Sequence, residues 1–262
     1  MNQKKTYILI SNDDGYQAPG IRQLVDALRE DYDLLVCAPE SGRSGYACAF
    51  SAVPPLTLTR RDSMGSGVEV WSCSGTPVDC VKMAMGQIRP DQQPDLIIGG
   101  INHGANNTIN VHYSGTAGVA IEGTMKYVPS LAFSSCDWNT AADLTPLVPY
   151  IRQIVAQTLN HGLPRGIFLN VNFPVGTDFK GIKICRMTWG RWVNETVKRA
   201  HPRGHDYYWM VGQYVNDEPE AQDSDEWAVN NGYVAITPTD IDVTAYEFFD
   251  QLKSWSLDAP QS

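Results

Sequence analysis

The sequence predicts a doubly wound, mostly parallel α/β core that carries an extended C-terminal β arm, and three observations lead to that expectation. Short continuous apolar runs recur along the chain, the pattern of strands buried on both faces of a parallel sheet. Segments with apolar residues at helical spacing lie between them. Beyond about Thr188 this alternation stops, and aromatic, strand-like segments and an acidic loop replace it. A chain of 262 residues can bury one sizeable core with an appendage but not two full-size independent domains. The expected division is a core over 1–187 and a β-rich arm with a terminal helix over 188–262.

Taken in order, Tyr7-Ile8-Leu9-Ile10 is the first buried strand and ends at Ser11-Asn12-Asp13-Asp14-Gly15. Ile21, Leu24, Val25 and Leu28 recur at helical spacing after the Ala18-Pro19-Gly20 break, and Leu34 to Ala38 forms the next strand. Parallel strands need such a crossover. Leu56 to Thr59 and Glu69 to Ser72 alternate about Gly65 and Gly67, which predicts a hairpin inserted in the α/β scheme. Thr76-Pro77-Val78-Asp79 has the residues of a helix start, with Thr76 as N-cap, Pro77 at the first position and Asp79 at the third. A strand at Leu96 to Ile98, a small-residue helix opening near Ser114-Gly115-Thr116, a strand at Leu131 to Phe133, a helix over about Asp143 to Leu159 and a strand at Ile167 to Val171 complete the core. On the arm, Trp189, Trp192 and Tyr207-Tyr208-Trp209 suggest oligomer contacts, because a thin arm has little core in which to bury them. A last strand at Tyr233 to Pro238 and a helix over about Ala245 to Trp255 follow.

The formal net charge of -9 argues against a protein that grips nucleic acid over a wide surface. Six scattered cysteines without a C-x-x-C pair suit a reducing compartment. No apolar run reaches membrane-span length, and Met1 to Lys5 leads too quickly into a strand to be a signal peptide. A cytoplasmic protein with no membrane and no nucleic acid polymer as partner is the expectation.

Ligands of open α/β sheets bind outside the carboxyl ends of the strands, where strand order reverses. Four loops after strands supply Asp13-Asp14, Ser41 to Gly45, Asn102 to Asn106 and Ser135 to Asn139. Two adjacent carboxylates repel unless a cation lies between them or one is protonated. A metal would find oxygen donors in Asp13, Asp14, the Ser44 hydroxyl and the Asn102 amide, a set that suits Mg²⁺, Mn²⁺ or Ca²⁺ rather than Zn²⁺. The same Asn12-Asp13-Asp14-Gly15 is also turn chemistry, and spacing alone leaves both readings open. Gly115 and Thr116 at a helix start resemble an anion site, while Ser114 or Thr116 can equally be a simple cap. His103 and His112 have no partners at metal-ligand or triad spacing and read as loop residues.

Taken together in their order, these segments closely resemble the survival protein SurE family of 5'/3'-nucleotidases over nearly the whole chain. The resemblance is carried by Ile10 to Gly15 with Ala18-Pro19-Gly20-Ile21, by Ala38-Pro39 with Arg43-Ser44-Gly45, and by Gly75-Thr76-Pro77 with Asp79-Cys80-Val81. It continues through Gly100-Ile101-Asn102 with Gly104 and Asn106, Tyr113 to Thr116 with Glu122-Gly123, Pro202-Arg203-Gly204 with Tyr208-Trp209, and Gly232-Tyr233-Val234 with Ile236-Thr237-Pro238. It implies a Rossmann-like core, a β arm exchanged between subunits in homodimers or homotetramers, and one divalent cation per subunit on Asp13, Asp14, Ser44 and Asn102. It also implies hydrolysis of nucleoside 5'- and 3'-monophosphates, shortening of polyphosphate by some members, Asp13 or Asp14 as the catalytic carboxylate, and phosphate held by Asn106, Ser114, Gly115 and Thr116. The departures are Gly99-Gly100 where Ser-Gly is usual, His201 where Asp commonly precedes Pro-Arg-Gly, and a varied Glu40-Ser41-Gly42; none touches an expected metal ligand.

Overall fold

A computed structural model of the chain describes residues 5–255 and 257. Its first strand, β1 (Tyr7–Ser11), is buried at every residue. Alternate side chains point to opposite faces, so Ile8 and Ile10 enter one core cluster while Tyr7 and Leu9 enter another. The first helix, α1 (Pro19–Leu28), starts on a proline and buries the stripe Ile21, Leu24, Val25 and Leu28. Then come β2 (Asp33–Pro39) and the hairpin β3 (Leu58–Arg61) and β4 (Val68–Cys73). The hairpin is no insertion beside the sheet: β4 pairs parallel with β2, and β3 forms the antiparallel edge.

Helix α2 (Pro77–Met83) has the predicted capping box, the Thr76 hydroxyl accepting from the Asp79 N–H while the Asp79 carboxylate accepts from the Thr76 N–H. The alternation continues with β5 (Leu96–His103), α3 (Gly115–Met125), β6 (Ser130–Ser135), α4 (Val148–His161) and β7 (Ile167–Phe173). After β8 (Ile182–Ile184) the chain leaves the sheet as β9 (Gly190–Val193), β10 (Thr196–Ala200), β11 (Asp206–Met210) and β12 (Gln213–Asn216). These pair antiparallel as β10 with β11 and β9 with β12. A helix the sequence reading did not contain, α5 (Asp225–Asn230), returns the chain to β13 (Val234–Asp240), and α6 (Phe249–Lys253) follows a 3-10 turn at Tyr246–Phe248.

The nine-stranded sheet has the order β3-β4-β2-β1-β5-β6-β7-β13-β8. From β4 to β7 all neighbours are parallel, whereas β13 lies antiparallel to β7. This is an α/β, Rossmann-like fold. Within 188–255 the strands β9 to β12 lie outside the nine-stranded sheet, and β13 returns the chain to it. The expected reading of Met1 to Lys4 lies outside the described residues.

Candidate functional site

The chain runs outward from β1 to β2 and β4 and then resumes at β5 on the other side of β1, so strand order reverses between β1 and β5. A cleft of about 590 Å³ lies against the loops that leave these strands and their neighbours. Asp13, Ser44, Asn102, Asn106 and Ser114 all line it.

Asp13 follows β1 and is buried. Its Oδ1 accepts from the Thr116 hydroxyl at 2.5 Å, and the Gly115 backbone N–H also serves the carboxylate. A side chain at position 115 would collide, since a Cβ there would lie 2.7 Å from the Asp13 Cβ, which is why glycine opens α3. Burial pushes the Asp13 carboxyl up to about 6; the Thr116 hydrogen bond opposes the shift and the charge of Asp14 adds to it.

Asp14 adjoins the cleft through His103, one of its lining residues: the Asp14 Oδ2 accepts from the His103 backbone N–H at 3.3 Å and lies 4.0 Å from the ring Nδ1. Burial raises its carboxyl too, against the interactions with His103. Gly15, at φ +101°, provides the left-handed turn after the pair. Ser44 is exposed on a loop secured by the Arg43 N–H to the Asp13 carbonyl and by the Arg43 guanidinium to the Ser74 carbonyl. Asn102 sits where β5 shifts register against β6, and its Nδ2 donates to the Gly104 carbonyl at 2.7 Å, which leaves the lone pairs of Oδ1 available to a cation.

Asn106 is locked from three sides: its Nδ2 donates to Ser134 Oγ, its N–H to Asn172 Oδ1, and its carbonyl accepts from Asn170. Ser114 caps α3 through the Ala117 N–H. Thr116 is fully buried with its hydroxyl spent on Asp13, and the Gly115 N–H serves the same carboxylate, so of these two residues the Thr116 backbone N–H remains for an anion.

His103, read from the sequence as a loop residue, is the buried last residue of β5 and lines the cleft, and its Nε2 has no hydrogen-bond partner among the described residues. Trp192, read as an oligomer contact, also lines the cleft, and its indole N–H donates to Asn110 Oδ1 at 2.9 Å. Glu195 and Met210 join it from the arm, and nothing in their local sequence marked them. Of the loop aromatics, Tyr113 and Trp138 line the cleft, whereas Tyr16 and Tyr46 lie under the guanidinium groups of Arg61 and Arg43.

Among the described residues no group of three or more His, Cys, Asp and Glu side chains could hold a metal. A cation in this cleft would depend on the neutral oxygens of Ser44 and Asn102 as well as on carboxylate. No helix among the described residues is long and apolar enough to cross a membrane.

The family model described as "Survival protein SurE" matches residues 8–194. The chain is 49% identical over 259 residues to the 5'-nucleotidase SurE of Phocaeicola vulgatus, covering 98% of this chain and all of the relative. It is 48% identical over 261 residues to the 5'-nucleotidase SurE of Bacteroides fragilis, again covering 98% of this chain and 100% of the other. The crystal structure of the SurE protein from Aquifex aeolicus superposes with a TM-score of 0.79 at 33% identity, over 94% of this chain and 98% of that one.

Proposed function

The chain belongs to the survival protein SurE family, and on that premise we propose that it is a divalent-metal-dependent phosphomonoesterase that releases phosphate from nucleoside 5'- and 3'-monophosphates. The observation that supports the reading most is the meeting of Asp13, Ser44 and Asn102 in one cleft wall beside the N-terminus of α3, with Asp14 adjoining.

The residues fit one hard cation per subunit. Every donor is an oxygen, Asn102 has Oδ1 to offer, and Asp13, whose carboxyl is raised by burial and further by the charge of Asp14, is a carboxylate that a cation would stabilise. Mg²⁺, Mn²⁺ and Ca²⁺ all meet that description. Such a cation supplies Lewis acidity toward a phosphoryl oxygen and acidifies water.

The chain's own groups do the rest. The Thr116 N–H in the first turn of α3, together with the helix dipole, attracts a phosphate oxygen, and Ser114 keeps that turn in register by accepting from Ala117. Asn106, immobilised by Ser134, Asn170 and Asn172, presents its side chain to the cleft without having to be ordered on binding. Asp13 is committed to Thr116 and Gly115, so it holds position. Asp14 is about a quarter exposed, at 23%, and His103 is the hydrogen-bond partner of its carboxylate among the described residues. With Asp13 held by Thr116 and Gly115, Asp14 is the freer base for the proton of the attacking water. His103 Nε2, without a partner in the cleft wall among the described residues, would donate to the substrate's ester or phosphoryl oxygens in the tautomer that carries its proton there.

The test is inorganic phosphate release by the purified protein with Mn²⁺ over a panel of 5'- and 3'-nucleotides and polyphosphate. Release from nucleoside monophosphates, abolished by chelator and restored by Mn²⁺, is the expected result. Release indifferent to chelator, or none from any nucleotide, would overturn the proposal. A cytoplasmic site of action goes with this reading; no helix among the described residues is long and apolar enough to cross a membrane.

A further inference from the structure

On the nucleotidase reading, we propose that the outer half of the cleft is the nucleobase site, where Trp138 and Trp192 stack on the base and Glu195 reads its donor edge in favour of guanine. By burial the cleft has an inner and an outer part: Asp13 and Asn102 are buried, whereas Trp138 from the loop after β6 and Glu195 and Met210 from the arm are exposed, and Trp192 is half-buried.

Both indoles are supported from behind. A Cβ at Gly104 would lie 2.8 Å from the Trp138 ring, and one at Gly212 would lie 2.8 Å from the Trp192 ring, so each ring rests on a glycine backbone. Trp192 is further fixed by its hydrogen bond to Asn110 and by an edge contact with Tyr214 at 5.9 Å between centroids. Trp138, with its back on Gly104, is nonetheless 75% exposed. Large apolar surface left open at the mouth of a cleft is surface that a planar ligand can cover, and aromatic rings stack on any base.

Glu195 supplies the selectivity. Its side chain has no hydrogen-bond or ion-pair partner among the described residues, and its charge would repel a phosphate, so it cannot serve the inner part. A carboxylate accepts two parallel donors best. Guanine places N1–H beside the N2 amino group and satisfies both oxygens. Adenine offers one amino donor beside the N1 lone pair, which a carboxylate repels.

Steady-state kinetics on the full chain with Mn²⁺ test this, using GMP, AMP and ribose 5-phosphate as the baseless reference. For the wild type we expect KM to rise about tenfold from GMP to AMP and further to ribose 5-phosphate. Trp138→Leu and Trp192→Leu should each raise KM for GMP about tenfold, the scale of one base–aromatic stack, with a much smaller effect on kcat. The kcat/KM ratio of GMP to ribose 5-phosphate then collapses, and the Phe variants at either position restore most of it. Glu195→Gln should flatten the GMP-to-AMP ratio. Equal losses on GMP and ribose 5-phosphate in the Leu variants, or a GMP-to-AMP ratio untouched by Glu195→Gln, would overturn the proposal. A wild type that hydrolyses all three esters alike defeats this inference alone, whereas one that hydrolyses none defeats the nucleotidase reading beneath it.

Discussion

A carboxylate as buried as Asp13 loses its hydration and keeps its charge only where neighbouring groups compensate. Thr116 and Gly115 compensate in part, and the carboxyl still rests near 6. The unfolded chain releases that proton near pH 4, so the folded state holds it over a window the unfolded state does not. Without a cation, stability on the order of 3 kcal/mol is present below about pH 4 and is lost as pH rises through about 6. In chelator, Asp13→Asn should therefore gain in melting temperature over the wild type between pH 5 and pH 7.5, and Mn²⁺ should reverse the order at pH 7.5 by binding the native wild type. A difference that stays flat with pH would refute this account of Asp13. The same variant should lose several orders of magnitude in turnover with nucleotide monophosphates while its far-UV spectrum stays native, and near-normal turnover would contradict the role given to the residue. Adjacent like charges made the Asp13-Asp14 pair legible in the sequence. The turn of Asp14 toward His103 was not, because it depends on the register shift between Gly99 and Asn102, a property of two paired strands.

At the scale of elements, α2 governs the loop that carries Ser44. Asp79 closes the capping box and also accepts from the Ser51 N–H and hydroxyl, while the Thr76 hydroxyl donates to the Ala49 carbonyl. The helix start thus pins the far end of the segment that begins at the cleft. Asp79→Ala strands these donors and should cost about 1–3 kcal/mol in thermal or denaturant unfolding. It should also raise the Mn²⁺ concentration needed for half-maximal activity, and Asp79→Asn, which can still accept, should recover part of both. An unchanged Mn²⁺ requirement would show that Ser44 is held by other means. The capping box and the apolar stripe of α1 were legible because their partners lie within a few residues of each other. Strand β13 and helix α5 were misjudged or missed because what fixes them is distant: Ile236 opposite Val171, and Asp225 accepting from Thr108 and Thr188.

Over the whole molecule, reversal of strand order between β1 and β5 opens the cleft, and the arm contributes Trp192 and Glu195 to its lining. The arm's role in the cleft was the least legible feature, since it requires strands more than 80 residues beyond Asn102 to fold back over the core. Strand β11 leaves Tyr208, Trp209 and Met210 more than half exposed, and Trp189 lies open nearby. Apolar surface of that kind on a paired ribbon is suited to a second copy of the chain. Light scattering should report a dimer or tetramer, and Tyr208→Glu with Trp209→Glu should shift it toward the monomer; a wild-type monomer would refute the oligomer reading. The central claim is that one oxygen-loving ion sits among Asp13, Asp14, Ser44 and Asn102. Anomalous diffraction at the manganese edge from crystals grown with Mn²⁺ tests it most directly. The account predicts one peak per chain within coordination distance of those oxygens, and a cleft without a peak in crystals of active enzyme would contradict it.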